Sequence, residues 1–212
     1  PMQALHALQT EQMADETSIP AEASRPFDKA RTGMVAGEGV GMLVLEEIDT
    51  ARDRGAKIYA EVLGTGSSLV ANRKLEGNCQ AALATAIKAA LREARIDVTD
   101  LGHINAHGLG TTDSDVQEAA ALQEALGPAG SQIPLIAPKS NFGNLGAGSG
   151  SVELIASLLA LEHGRLPRVL NYRTRDPACP VQAVTDEDVP PGTHFLSLSV
   201  TPQGQAAVLC VG

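Results

Sequence analysis

A histidine stands in a glycine-rich loop directly after a short apolar strand, in the stretch Ile104-Asn105-Ala106-His107-Gly108-Leu109-Gly110-Thr111. A helix with carboxylates near its start follows this loop. A second glycine-rich loop opens later in the chain, at Lys139-Ser140-Asn141-Phe142-Gly143-Asn144. Loops between strand ends and helix starts are where α/β folds place their chemistry. The two loops therefore predict one site assembled from both.

The periodicity of the remaining chain predicts an α/β layer. Apolar residues recur at helical spacing or in strand-length runs. Predicted helices span residues 48–54, 79–94, 113–125 and 151–161, with a further short helix near residues 4–8. Predicted strands span residues 41–46, 58–64, 104–106, 135–137, 195–200 and 205–211. The last two strands form a hairpin.

The composition indicates a folded globular chain and excludes several classes of protein. The sequence has 212 residues, of which 43% are hydrophobic and 19% charged, and its formal net charge is −9. With 2% aromatic residues, the core must be built from Ala, Val, Leu and Ile. No basic patch fits nucleic acid, and no apolar run has the length of a membrane span or the pattern of a signal peptide.

The cysteines indicate reduced thiols. Cys79, Cys179 and Cys210 are far apart and lack paired spacing, which argues against zinc and a disulfide framework. Reduced thiols fit a cytoplasmic protein. The sequence predicts neither a cofactor nor a metal site.

Four motifs, in this order and spacing, resemble the C-terminal half of the β-ketoacyl synthase family in the thiolase-like superfamily. They lie at residues 24–28, 33–41, 105–108 and 138–140. The resemblance implies an α/β/α/β/α layered fold built from two duplicated halves. We expect residues 1–32 to be a linker with the end of the preceding half. Residues 33–212 then form the C-terminal thiolase-like domain, a mixed five-stranded sheet flanked by helices.

The same resemblance places the nucleophilic cysteine in the family's N-terminal half, outside this sequence, so we expect the chain to be a processed or trimmed fragment. One half of a duplicated fold leaves an apolar face of its central helix layer uncovered. We expect the long alanine-rich helices to carry that face.

His107 is the first candidate for chemistry. A lone loop histidine often only binds backbone, but Gly108, Gly110 and Thr111 are small enough to let a thioester approach closely. The resemblance implies that His107 donates to a thioester carbonyl. That contact would stabilise the enolate formed by decarboxylation.

Lys139 is expected to be buried, and a buried lysine needs a carboxylate. We expect Glu118 to be its partner, and the resemblance gives this pair a supporting role. Gly143 precedes Asn144, which stands where decarboxylating ketosynthases carry a second histidine. Asparagine donates a hydrogen bond but exchanges no proton. We therefore predict slow malonyl decarboxylation.

Two functions follow from the resemblance. The first is a β-ketoacyl-(acyl-carrier-protein) synthase-like enzyme, which condenses acyl and malonyl thioesters in fatty acid or polyketide synthesis with loss of CO₂. The second is a non-catalytic homologue that binds acyl chains or sets chain length beside an active partner. Asn144 and Pro202, which stands in place of the family's terminal Phe gate, favour the second. A thiolase is a third alternative, but a thiolase uses a second cysteine in its terminal glycine-rich loop, and none of the three cysteines of this chain lies there.

The expected partners are an acyl carrier protein or acyl thioester and the N-terminal half of the same fold. The whole protein would be a homodimer or pair with a ketosynthase. An acidic carrier needs a local basic patch, for which the candidates are Arg165, Arg168, Arg173 and Arg175.

Overall fold

One mixed sheet organises the chain. The computed structural model describes residues 12–17, 19–74 and 76–212, so the predicted helix near residues 4–8 lies outside the described residues. The strands are β1 (Val62–Leu69), β2 (Leu101–Asn105), β3 (Pro134–Ile136), β4 (Gln182–Ala183), β5 (His194–Val200) and β6 (Gln205–Val211). They lie in the order β1-β6-β5-β2-β3-β4.

The sheet divides into an antiparallel and a parallel part. The hairpin of β5 and β6 pairs antiparallel, as does β1 with β6. Strands β5, β2, β3 and β4 run parallel to one another. The sequence predicted five strands in the sheet, and the described residues form six. The extra strand β4 has two residues and therefore leaves no periodic signal.

The helices follow the predicted periodicity closely. They are α1 (Ile48–Asp53), α2 (Cys79–Ala94), α3 (Thr112–Leu126), the one-turn α4 (Lys139–Phe142) and α5 (Ser149–His163), with short 3₁₀ turns between elements. Helix α2 begins where the Asn78 side chain accepts from Ala81 N, and it ends at Arg95 in a left-handed conformation. Its backbone packs so closely on β1 that a Cβ at Gly66 would overlap the Ala86 carbonyl.

Helices α2 and α3 lie on one face of the sheet and α5 on the other. Side chains alternate along a strand, so each strand serves both faces. From β5, Leu196 and Leu198 join the core that contains α2. Phe195 points the opposite way and stacks on His103 of β2, which contacts Ser157 of α5. The loop with His107 follows the end of β2, between these two helix layers.

The segment at residues 41–46 corrects a prediction. Its apolar run predicted a central strand, but it forms no strand in the structure. Val40, Met42, Val44 and Leu45 are 81–88% exposed. The predicted strand at 58–64 instead begins at Val62 and continues to Leu69. An apolar run can form a strand only where a neighbouring strand is available to pair with it.

The uncovered apolar surface lies elsewhere than expected. Both alanine-rich helices are covered: α2 buries seven residues against the sheet and α3, and α3 buries Ala119 and Ala121. Exposed apolar side chains instead occur on the 40–45 segment and on the outer side of α5, where Leu159 is 43% exposed. Helix α5 is apolar around most of its circumference, as is typical of a helix that is covered on both sides.

Candidate functional site

Glu118 holds the backbone of the His107 loop. Its Oε1 accepts from His107 N at 2.7 Å, and its Oε2 accepts from Gly108 N at 2.8 Å. Burial raises the pKa of Glu118 to about 7, against the effect of these two donors. Both carboxyl oxygens are therefore occupied by the loop that presents the histidine.

Asp115, one turn earlier on α3, fastens the rest of this loop. Its oxygens accept from Gly110 N at 3.0 Å and from Phe27 N at 2.7 Å. Burial raises the pKa of Asp115 to about 6, although the Arg31 guanidinium lies 3.7 Å away. The predicted supporting residue Thr111 caps α3, since its Oγ1 accepts from Ser114 N at 3.2 Å.

Gly108 is small for a reason that the sequence did not reveal. Its φ is +48°, which favours glycine. A Cβ there would lie 2.8 Å from the Cβ of Ala137 and 3.3 Å from the Phe27 ring. Protein atoms thus fill the space that a side chain at position 108 would occupy, and the approach of a thioester to this loop stays a prediction.

Lys139 is buried as predicted, but its carboxylate partner is Glu153 and not Glu118. Its Nζ lies 2.5 Å from Glu153 Oε1, with both side chains 2% exposed. The same Nζ donates to the His107 carbonyl oxygen at 2.6 Å. Glu118 has both oxygens occupied by backbone donors, and α5 supplies the free carboxylate from the opposite face of the sheet.

Burial and the contact with Lys139 together determine the protonation state and the tautomer of the His107 ring. Burial, and then the Lys139 cation, hold the pKa of His107 well below its ordinary value, so the ring is neutral. The Lys139 ammonium lies 3.5 Å from Nδ1, at the outer limit of a hydrogen bond. Because an ammonium only donates, Nδ1 is the acceptor and Nε2 carries the proton. His107 can therefore donate from Nε2.

Asn144 follows α4 and is held by its backbone and its side chain. Its N donates to Val35 O at 2.7 Å, and its carbonyl accepts from Gly37 N at 2.9 Å. Gly143, just before it, has a φ of +77°. The Asn144 Oδ1 accepts from Gly146 N at 3.2 Å and from Ser149 Oγ at 3.0 Å.

Three buried polar residues on α5 contact these elements, and none of the three was among the predicted site residues. Ser149, Glu153 and Ser157 recur every four residues, so they share one face of the helix, the α5 polar stripe. They are 6%, 2% and 0% exposed. The available signal was a glutamate, Glu153, within the apolar middle part of the helix.

The inner end of the α5 polar stripe contacts β2. His103 Nδ1 lies 2.8 Å from the Pro191 carbonyl, so it is the protonated nitrogen, and Nε2 accepts from Ser157 Oγ at 3.0 Å. Burial lowers the pKa of His103 to about 4. Asn105 Nδ2 donates to Ser157 Oγ at 2.8 Å and to the Glu153 carbonyl at 2.5 Å. These contacts fix α5 against the sheet.

Comparison with known proteins identifies the family. The profile described as "Beta-ketoacyl synthase, C-terminal domain" matches residues 59–173, and the corresponding N-terminal domain profile matches residues 2–51. The chain belongs to the β-ketoacyl synthase family. The division between residues 32 and 33 stays a prediction.

Relatives of this β-ketoacyl synthase chain include polyketide ketoacyl synthases and a 3-oxoacyl-[acyl-carrier-protein] synthase. The chain is 44% identical over 169 residues to the "Tetracenomycin polyketide synthase ketoacyl synthase alpha subunit" of Streptomyces glaucescens, covering 78% of this chain and 39% of the relative. The chain spans between 36% and 46% of the length of the polyketide synthase relatives it matches.

Two solved structures share the thiolase-like ketosynthase fold of this chain. One is the AntDE:AntF complex of a type II polyketide synthase acyl carrier protein with its ketosynthase bound to the hexaketide. It has a TM-score of 0.89 and 31% identity, and the match covers 99% of this chain and 52% of that chain. The ishigamide ketosynthase/chain length factor has a TM-score of 0.87 and 34% identity, covering 99% and 50%. No helix within the described ranges is long and apolar enough to cross a membrane.

Proposed function

We propose that the complete protein is a β-ketoacyl-(acyl-carrier-protein) synthase-like condensing enzyme and that this chain supplies its carbonyl-binding side. The observation that carries the proposal is the state of His107. Its ring is neutral and partly buried, and because Lys139 lies against Nδ1, its one N–H is on Nε2. A fixed neutral donor is suited to an oxygen on which negative charge develops.

In the proposed reaction, the C–C bond to the carboxylate of a malonyl thioester breaks and CO₂ leaves. The electron pair of that bond forms an enolate, and its oxygen accepts hydrogen bonds from His107 Nε2 and Asn144 Nδ2. The enolate carbon then attacks an acyl group on the nucleophilic cysteine, and the cysteine thiolate leaves. Lys139 and Glu118 act through His107, by holding its ring and its backbone.

The alternative is a non-catalytic homologue that binds acyl chains or sets chain length. Asn144 favours this alternative, since its amide cannot exchange a proton. The solved ketosynthase/chain length factor pair is similar to this chain at 34% identity. Under this alternative, the His107 and Asn144 donors would bind a thioester carbonyl without turnover.

The partners follow from either function. An acyl carrier protein is the proposed source of the thioester, as in the similar complex of a carrier with its ketosynthase. Arg165 and Arg175 are the basic candidates for docking it, since Arg168 and Arg173 pair with Glu187 and Glu22. The N-terminal half of the fold would cover the apolar outer side of α5. A cytoplasmic dimer completes the proposal.

The test is CO₂ release from a malonyl thioester by the complete protein. We expect release that falls by about 100-fold or more in His107→Ala, the range for loss of one oxyanion donor. The control His163→Ala changes an exposed histidine at the end of α5 and should leave the rate unchanged. If the complete protein releases no CO₂ but alters the product length of a co-expressed ketosynthase, the non-catalytic alternative holds.

A further inference from the structure

We propose that Ser149 is a positioning residue that fixes the amide orientation of Asn144 and so presents its N–H₂ group to a ligand carbonyl. This inference rests on the proposed function, in which Asn144 binds the thioester oxygen. Ser149 is 6% exposed and therefore acts through Asn144 rather than on the ligand.

The hydrogen bonds around Ser149 leave one acceptor for its hydroxyl proton. Ser149 Oγ accepts from Leu145 N at 2.9 Å. Its own proton is then directed to Asn144 Oδ1, 3.0 Å away. Gly146 N, 3.2 Å from the same oxygen, is a second donor with no acceptor capacity. Two donors therefore converge on one side of the amide.

This arrangement decides between the two orientations of the Asn144 amide. A flip would place N–H₂ against the Gly146 N–H, donor facing donor, and would leave the Ser149 proton without the oxygen it now binds. The observed orientation instead puts Nδ2 3.2 Å from Met34 Sδ. A thioether is a weak acceptor, so the amide retains a proton for a stronger acceptor such as a carbonyl oxygen.

Ser149 also begins α5, and a purely structural role there must be separated from positioning. The two roles differ in their dependence on Asn144. If Ser149 acts through the amide, its removal affects ligand binding only while the amide is present. If Ser149 merely starts the helix, its removal affects binding in either background. A double-mutant cycle separates them.

The probe is an amide analogue of malonyl-N-acetylcysteamine, in which nitrogen replaces the thioester sulfur and the carbonyl oxygen is kept. Its affinity for the complete protein is measured by calorimetry. We expect Ser149→Ala to weaken binding by about 5- to 10-fold, the effect of losing one well-oriented hydrogen bond. The control Ser151→Ala removes a hydroxyl of the same turn that donates to Gly148 O at 3.1 Å, and it should change affinity less than about twofold.

In the Asn144→Ala background, Ser149→Ala should cause no further loss. A comparable further loss, or no effect of Ser149→Ala in the wild type, would overturn the positioning role. Full binding by Asn144→Ala itself would instead contradict the proposed function at this position.

A readout without ligand tests the same geometry. In Asn144→Asp, the introduced carboxyl would accept from Gly146 N–H and from the Ser149 hydroxyl, which lowers its pKa. Adding Ser149→Ala should raise that pKa by about 1, measured by carbon NMR of the labelled carboxyl. An unchanged pKa would show that the Ser149 proton points elsewhere and would overturn the inference.

Discussion

Removing Lys139 should leave the buried Glu153 carboxylate without a counter-charge. In Lys139→Met the methionine fills a similar volume, but the Glu153 carboxylate, 2% exposed, loses its cation. Breaking a buried pair from one side costs about 3–5 kcal/mol in the free energy of unfolding. For a chain of this size, that predicts a fall in melting temperature of roughly 6–20 °C.

The pH dependence of the variant's stability follows from the Glu153 carboxyl, which remains buried without Lys139. Burial already raises the pKa of Glu153, and Lys139 lowers it. Without the lysine the folded-state pKa rises further above the unfolded value. The unfolded chain then releases its proton first as the pH rises, so the variant loses stability with rising pH. The cost of Lys139→Met should be larger at pH 8 than at pH 5.

The assay is urea denaturation of the variant series. Lys139→Met with Glu153→Leu should recover much of the loss, because no unpaired charge remains. Lys139→Met with Glu118→Gln should recover none of this stability, because Glu118 accepts hydrogen bonds from backbone N–H groups and does not pair with Lys139. The control Lys88→Met removes half-exposed Lys88, which pairs with Glu124 at the surface, and should cost under about 1 kcal/mol. A cost for Lys139→Met no larger than that of this control would show that Lys139 does not neutralise a buried carboxylate.

Four other outcomes are expected. Glu118→Gln should lower the free energy of unfolding, measured in urea, by about 1–3 kcal/mol, because the amide NH₂ would face a backbone N–H and leave that donor without an acceptor. His103, whose low pKa makes folding less favourable as the pH falls from about 6.5 to 4, should show no NMR titration above pH 5. Asn144→His should raise malonyl decarboxylation by about tenfold in the complete protein, and no gain would contradict its role. The isolated chain should self-associate through its 40–45 segment, whereas light scattering of a stable monomer would contradict this.

Helix positions could be predicted because their signals are local. The apolar spacing of α2 and the Asn78 cap lie within the helix and its first turn, and the predicted bounds of 79–94 are those observed. The strands of the hairpin at β5 and β6 were predicted to within one residue for the same reason. Apolar spacing predicts a helix or a strand correctly when the surface that buries its apolar residues belongs to the same chain.

The segment at 41–46 is a case in which apolar spacing gave a wrong prediction. Its side chains have strand chemistry, but pairing depends on backbone groups elsewhere, and no pattern within the segment reveals whether they are present. The same holds for β4, whose two residues form a strand only because β3 lies beside them.

The hydrogen-bond and ion-pair partners of the site residues also could not be predicted from the sequence. Glu118 and Glu153 are both helical carboxylates, and only the fold places one under the loop backbone and the other against Lys139. The proline, the serine and the glycines around Lys139 predicted its burial. The choice of carboxylate depends on which face of the sheet each helix covers.

The α5 polar stripe has a consequence for which changes the protein can tolerate. A helix with apolar residues around most of its circumference could pack at many rotations, so the three buried polar residues of the stripe set the rotation, and each does so through a different partner. One residue inserted within α5 would turn everything after it by about 100° and break the contacts beyond the insertion together. Substitutions on the outer side of the helix leave all three contacts intact. That surface can therefore change to suit whatever covers it while the stripe remains the same.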